Sequence, residues 1–291
     1  MQSANLESQA LLIGDNRLFG IRTSAVDHHG PIGMVILNAG MVSNAGPYRM
    51  SVDIADTAAG LGLTTIRLDQ SGKGESPARS QMTPAEAAFA DFDDACEHLQ
   101  QLGITKIILA GLCSGATDAL RIAANRDNVI GLILLDGIVG PNLRWRWDRL
   151  ADAVGVKLGR LKRAASLGLG RTFRILEERR SARAAAGSYE IVMDNRSWEI
   201  AEFRQAYLDV LERNVEILSI FSGTFYPYSH LGQLSGFLAG AADLSGLQEL
   251  HFADSDHLFS LATHRERLVN TIKEWIEVEF DSDALPQRAA S

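Results

Sequence analysis

Short apolar runs recur along this chain with helix-like stretches between them, and that alternation limits the fold more than any other feature. Met34-Val-Ile-Leu37, the Ile-Ile-Leu-Ala that follows Lys106, and Val129-Ile-Gly-Leu-Ile-Leu-Leu135 have no polar residue at alternate positions. A strand reads this way when both of its faces are covered. Thr64-Thr-Ile-Arg-Leu-Asp69 is a fourth strand candidate, and a helix is expected from about Tyr48 to Gly60 between it and the first. Thr83-Pro-Ala-Glu86 announces another helix: a capping Thr, a proline at the first helical position and a Glu three residues on, with Gly103 as the stop. A third helix should run to about Asn125. Buried strands separated by helices imply a mostly parallel sheet with helices on both faces, an α/β fold. At the N-terminal side a hairpin is expected, with Asp27-His-His-Gly-Pro31 as its turn.

The alternation stops near Gly140. From there to about Val215 the chain reads as helical, arginine-rich and strandless, and strands return only at Glu216-Ile-Leu-Ser-Ile-Phe221 and Leu247-Gln-Glu-Leu-His-Phe252. The expected organisation is core sheet over 1–140, an inserted helical cap over 141–215, and core sheet again over 216–291. Charge follows the same division. The whole chain carries −8, yet residues 141–190 hold twelve Arg+Lys against five Asp+Glu, which leaves −15 on the rest.

Gly111-Leu-Cys-Ser-Gly115 ends one strand and opens a helix. In a Gly-x-nucleophile-x-Gly turn only glycines avoid clashes around the central side chain, which projects. The central residue is Cys113, so Ser114 is expected to support it, offering a backbone N–H to an oxyanion while its hydroxyl lies to the side. The positive end of a helix favours a thiolate there. The alternative is a glycine-lined packing turn without chemistry. Cys96 is the one other cysteine; it sits in a helix, where it reads as a small core residue, so neither a disulfide framework nor a zinc site is expected, and no cofactor is called for.

Four motifs in order resemble the α/β-hydrolase fold with Cys in place of the usual Ser. The elbow is one of them. Asn38-Ala-Gly-Met41 resembles the loop that supplies the second oxyanion N–H, from Met41 or its neighbour Gly40. Asp69-Gln-Ser-Gly-Lys-Gly-Glu-Ser76 resembles the family's Asp-x-x-Gly-x-Gly-x-Ser turn, and Ala253-Asp-Ser-Asp-His-Leu-Phe259 its histidine loop, with His257 as base. The similarity spans about Arg22 to Glu277. The Gly-Leu-Cys-x-Gly-Ala turn and the Asp-His-x-Phe-Ser tail are similar to hydrolase-like proteins associated with exosortase systems. The chemistry resembles cysteine acyl shuttles and thioesterases that serve carrier proteins. One departure stands out: Phe221-Ser-Gly-Thr-Phe-Tyr-Pro227, where the family usually carries its acid, holds no carboxylate. Asp136, at the end of an adjacent strand, is the favoured substitute; a dyad without an acid, or Asp254 or Asp256, are the alternatives.

The resemblance implies an enzyme acting on an ester or thioester through an acyl-Cys113, either by transfer or by hydrolysis; a non-catalytic binding protein is the competing class. Arg144, Arg146 and Arg149 open the basic segment and are candidates for attracting a phosphate-bearing donor, such as a carrier-protein arm or coenzyme A. Solvated helix faces are the plainer reading of the same charges. His28 and His29 are expected in solvent, His251 and His264 in packing or on a polar face, and His230 in a loop near the pocket. An acidic chain without aromatic-interleaved basic strands gives no nucleic-acid footprint. No apolar run reaches the ~20 residues that span a bilayer, and the first residues lack signal-peptide order, so neither a membrane nor an export route is expected and a cytoplasmic location is.

Overall fold

The computed structural model describes residues 5–15, 17–26, 30–140, 200–225, 227–240 and 243–280. Its centre is an eight-stranded sheet in the order β1-β2-β4-β3-β5-β6-β7-β8. The strands are β1 Leu6–Ile13, β2 Leu18–Ala25, β3 Ile32–Leu37, β4 Thr64–Leu68, β5 Lys106–Leu112, β6 Val129–Leu135, β7 Glu216–Ser222 and β8 Leu247–Phe252. From β4 to β8 every neighbouring pair is parallel. The two N-terminal strands are antiparallel. This is the α/β-hydrolase fold.

The helices are α1 Met50–Gly60, α2 Pro84–Gln101, α3 Ser114–Ala124, α4 Ile200–Glu212, α5 Gln233–Leu238 and α6 Ala262–Glu279. Alternate residues of the central strands point to one face, where Met34, Ile36, Ile108, Ala110, Ile133 and Ile220 pack against Met50 and Ile54 of α1 and Leu268, Ile272 and Trp275 of α6. The residues between them are buried as well, which is why these strands read as unbroken apolar runs. Thr83 caps α2 as its sequence announces: its side chain accepts from the Glu86 N–H while Glu86 reaches back to the Thr83 N–H. Among the described residues no helix is long and apolar enough to cross a membrane.

Two expectations need correction. The hairpin lies earlier than the Asp27–Pro31 turn: β1 pairs with β2, whose far edge is taken by β4, so β2 and β3 are not neighbours. Gly14 and Asp15, both with positive φ, lie between the paired strands. The cap was expected to reach residue 215, but α4 belongs with the sheet, and the second compact unit comprises Pro141–Glu199. Phe203, Tyr207 and Val210 are buried on α4, and the Tyr207 hydroxyl donates to the Ile138 carbonyl at 3.1 Å. Residues 141–199 lie outside the described residues, as do Arg144, Arg146, Arg149, His28 and His29.

Candidate active site

The carboxyl ends of β5, β6 and β7 converge on one cluster. β5 runs into α3 through Cys113, which has φ 55° and ψ −115°. For a residue with a side chain such a conformation stores about 1–3 kcal/mol of strain, and it persists only where the surroundings enforce it. They do so here through the two glycines. A Cβ on Gly111 would lie 2.3 Å from the Gly115 carbonyl carbon, and one on Gly115 would lie 2.9 Å from the Leu37 oxygen at the end of β3. The Cys113 N–H continues the ladder to Leu135, while its carbonyl accepts from Thr117 and starts α3. Cys113 is half-buried at the N-terminus of that helix.

Asp136 follows β6 directly, with φ 47° and 1% exposure. Its Oδ2 lies 2.6 Å from His257 Nδ1. The same carboxylate accepts from the Ser222 N–H at 2.6 Å and the Ser222 hydroxyl at 2.7 Å. Ser222 ends β7, the strand after which the acid was sought in the sequence. The acid lies one strand over from that segment, and a hydroxyl in the segment holds it. The other two carboxylates are committed elsewhere: Asp254 pairs with Arg267 at 2.6 Å, and Asp256 accepts from the backbone and side chain of Ser260.

His257 sits in the loop between β8 and α6. Its N–H donates to Thr224 Oγ1 at 2.8 Å, and its ring stacks on Phe225 with centroids 5.8 Å apart. Its pKa is pushed up to about 10, first by the hydrogen bond to Asp136 and next by one to the Cys113 side chain, against partial burial. With Nδ1 on Asp136, Nε2 is the nitrogen left for the sulfur. The arrangement suits an imidazolium held between a carboxylate and a sulfur.

The loop after β3 is braced from below. Asn38 donates to the Val42 carbonyl at 3.0 Å, and Asp69 of the glycine-rich turn accepts from the Asn44 and Glu75 N–H groups. The loop meets the elbow through Gly40, whose N–H donates to Ser114 Oγ at 2.7 Å. Met41 turns outward with 78% exposure. The Ser114 hydroxyl, expected off to the side, therefore reaches across to the loop, while the Ser114 N–H lies at the first helical position.

Ser222 and Thr224 are the site residues that sequence reasoning missed. Their signal was available as two hydroxyls in the segment that lacked a carboxylate. The other cysteine and the other described histidines make contacts away from this cluster. Cys96 is buried, receives a hydrogen bond from Asn128, and its thiol is pushed up to about 11 by burial. His251 packs edge-on to Tyr228, His264 lies 3.5 Å from Asp254, and His230 is bonded to Ser229.

Comparison with known structures agrees with this topology. An α/β serine hydrolase homologue from Coxiella burnetii matches with a TM-score of 0.57 and 13% identity over 93% of this chain and 97% of its own. The esterase PF2001 from Pyrococcus furiosus gives 0.59 and 11% over 95% and 91%, and Est1E from Butyrivibrio proteoclasticus 0.55 and 14% over 92% and 97%. At such identities they show the fold. No curated protein matches the chain. The family model for serine aminopeptidase S33 matches residues 29–217, a span that includes the elbow and Asp136 and stops before His257. The chain belongs to the serine aminopeptidase S33 family of α/β-hydrolases, with a cysteine at the centre of its elbow where that family's name leads one to expect serine.

Proposed function

We propose that this protein is an acyl-transfer enzyme in which Cys113 attacks the carbonyl of an ester or thioester, His257 moves the proton and Asp136 orients and charges the imidazole. The observation that carries the reading is the strained Cys113 at the head of α3, together with a histidine hydrogen-bonded to both its sulfur and a buried carboxylate. A sulfur in this setting attacks a thioester to form another thioester of similar energy, which a thiol, an amine or water can then accept. Membership of a hydrolase family favours water as the acceptor; the thiol favours transfer. Incubation with a panel of acyl thioesters and oxygen esters, reading free thiol or acid released with and without an added thiol acceptor, tests the reading. Turnover of a thioester is the expected result, and no release from any member of the panel overturns it.

The same reading extends to the donor. Arg144, Arg146 and Arg149 follow the Asp136 strand end within about a dozen residues and open the basic segment, so a coenzyme A or carrier-protein thioester is the proposed substrate class. Neutralising all three raises KM for a coenzyme A thioester and leaves KM for a small uncharged thioester nearly unchanged. The difference shrinks with salt, because the Debye length falls from ~10 Å at 0.1 M to ~3 Å at 1 M. Equal effects on both donors, measured by steady-state kinetics at two salt concentrations, would remove the electrostatic role.

A further inference from the structure

The Gly40 N–H is directed at the elbow, yet in this structure it is already donated to Ser114 Oγ at 2.7 Å. A hydroxyl has one hydrogen to give and two lone pairs to receive. With one lone pair on Gly40, its hydrogen is left to donate, and Ser114 is half-buried beside the nucleophile position rather than sealed in the core. Gly40 itself leaves room: its φ is +50° and a Cβ built there meets no atom within 4 Å. The Gly40 loop and the first residue of α3, next in the chain to Cys113, are thus joined by a polarised hydroxyl.

We propose that the Ser114 hydroxyl is a side-chain donor to the oxyanion, relaying the Gly40 N–H to the substrate oxygen. This rests on the reading of Cys113 as nucleophile. In the step concerned, the Cys113 sulfur forms a bond to the thioester carbonyl carbon, and the carbonyl π electrons move to oxygen. The resulting oxyanion accepts from the Ser114 N–H and the Ser114 O–H. Collapse breaks the bond to the departing sulfur, which leaves as a thiol with the proton from His257. A donor that itself accepts a hydrogen bond is a stronger donor. Ser114 also differs from a loop pin: a pin holds the backbone equally in all states, whereas a donor acts only when the oxygen carries charge.

Two reactions of the same sulfur separate these roles. Acylation by a thioester passes through an oxyanion; alkylation by iodoacetamide displaces iodide from a saturated carbon and forms none. Ser114→Ala should slow acylation of Cys113 by about 10²-fold, the range for loss of one oxyanion donor, and leave alkylation within about twofold. Ser114→Thr, which keeps the hydroxyl, should recover most of the acylation rate. Equal slowing of both reactions, or acylation unchanged in Ser114→Ala, overturns the donor role. If wild-type protein is alkylated at Cys113 yet acylated by no thioester, the failure lies with the nucleophile reading, and the donor role falls with it.

Discussion

Cys113→Ala abolishes thioester turnover, lowering kcat by at least about 10⁴-fold while the fold survives. Removal of the attacking atom from a nucleophile-and-base unit costs about as much as removal of the whole unit, because His257 and Asp136 then have no sulfur to charge. The fold survives because alanine keeps the Cβ that the elbow already accommodates, and the glycines that enforce φ 55° remain. Stopped-flow or steady-state thiol release measures the first effect and thermal melting the second. Activity retained in this variant, or activity lost only because the protein unfolds, contradicts the assignment.

Asp136→Asn is the second large change, and it acts in two ways. The His257 pKa falls from about 10 towards the ordinary 6.5, since the hydrogen bond to Asp136 is the largest cause of its elevation. A group whose pKa is raised on folding contributes stability that is complete below its unfolded value and is lost as pH rises through the folded value. The wild-type protein therefore keeps most of this contribution at neutral pH and loses it progressively as pH rises towards 10, whereas in the variant, whose folded and unfolded values nearly coincide, the contribution is absent at every pH. Activity that depends on the imidazolium should fall over the same range, with kcat at pH 8 lowered about 10²–10⁴-fold; the upper figure is the loss known for the equivalent change in a serine triad. The second effect is structural. Asp136 accepts from the Ser222 N–H, the Ser222 hydroxyl and His257 Nδ1. An amide offers these donors one oxygen and an NH₂, so the Ser222 hydroxyl and the His257 ring must turn from donor to acceptor, and any that does not is left unsatisfied at about 1–3 kcal/mol. For a chain of this size that is a drop of about 2–4 °C in Tm per kcal/mol. NMR titration of the His257 ring and thermal melts at pH 7 measure both. A ring pKa unchanged in the variant would mean that another group charges it.

The strands and helices of the core were legible because burial on both faces leaves unbroken apolar runs, as in Val129–Leu135, and because the α2 cap spells itself out in four residues. β1 was not. It is an antiparallel edge strand with most residues exposed, and its polar first half, Glu7-Ser-Gln9, leaves only Ala10–Ile13 as an apolar signal. Assignment of α4 to the cap had a similar cause: helicity was readable, but the burial of Phe203 and Tyr207 with the core is a tertiary fact. In the site, Cys113, His257 and Asp136 could be named from motifs and strand ends. The partners of Ser222, Thr224 and Gly40 could not, because a hydroxyl or a backbone N–H carries no motif that says what it will bond to.

The most direct measurement is peptide-resolved mass spectrometry after a short incubation of the full chain with an acyl thioester, quenched in acid. The expected result is one acyl group per chain, lost on treatment with hydroxylamine at neutral pH, located on Cys113 and missing from Cys113→Ala. An acyl group on Ser114, or an adduct that survives in Cys113→Ala, would contradict the account.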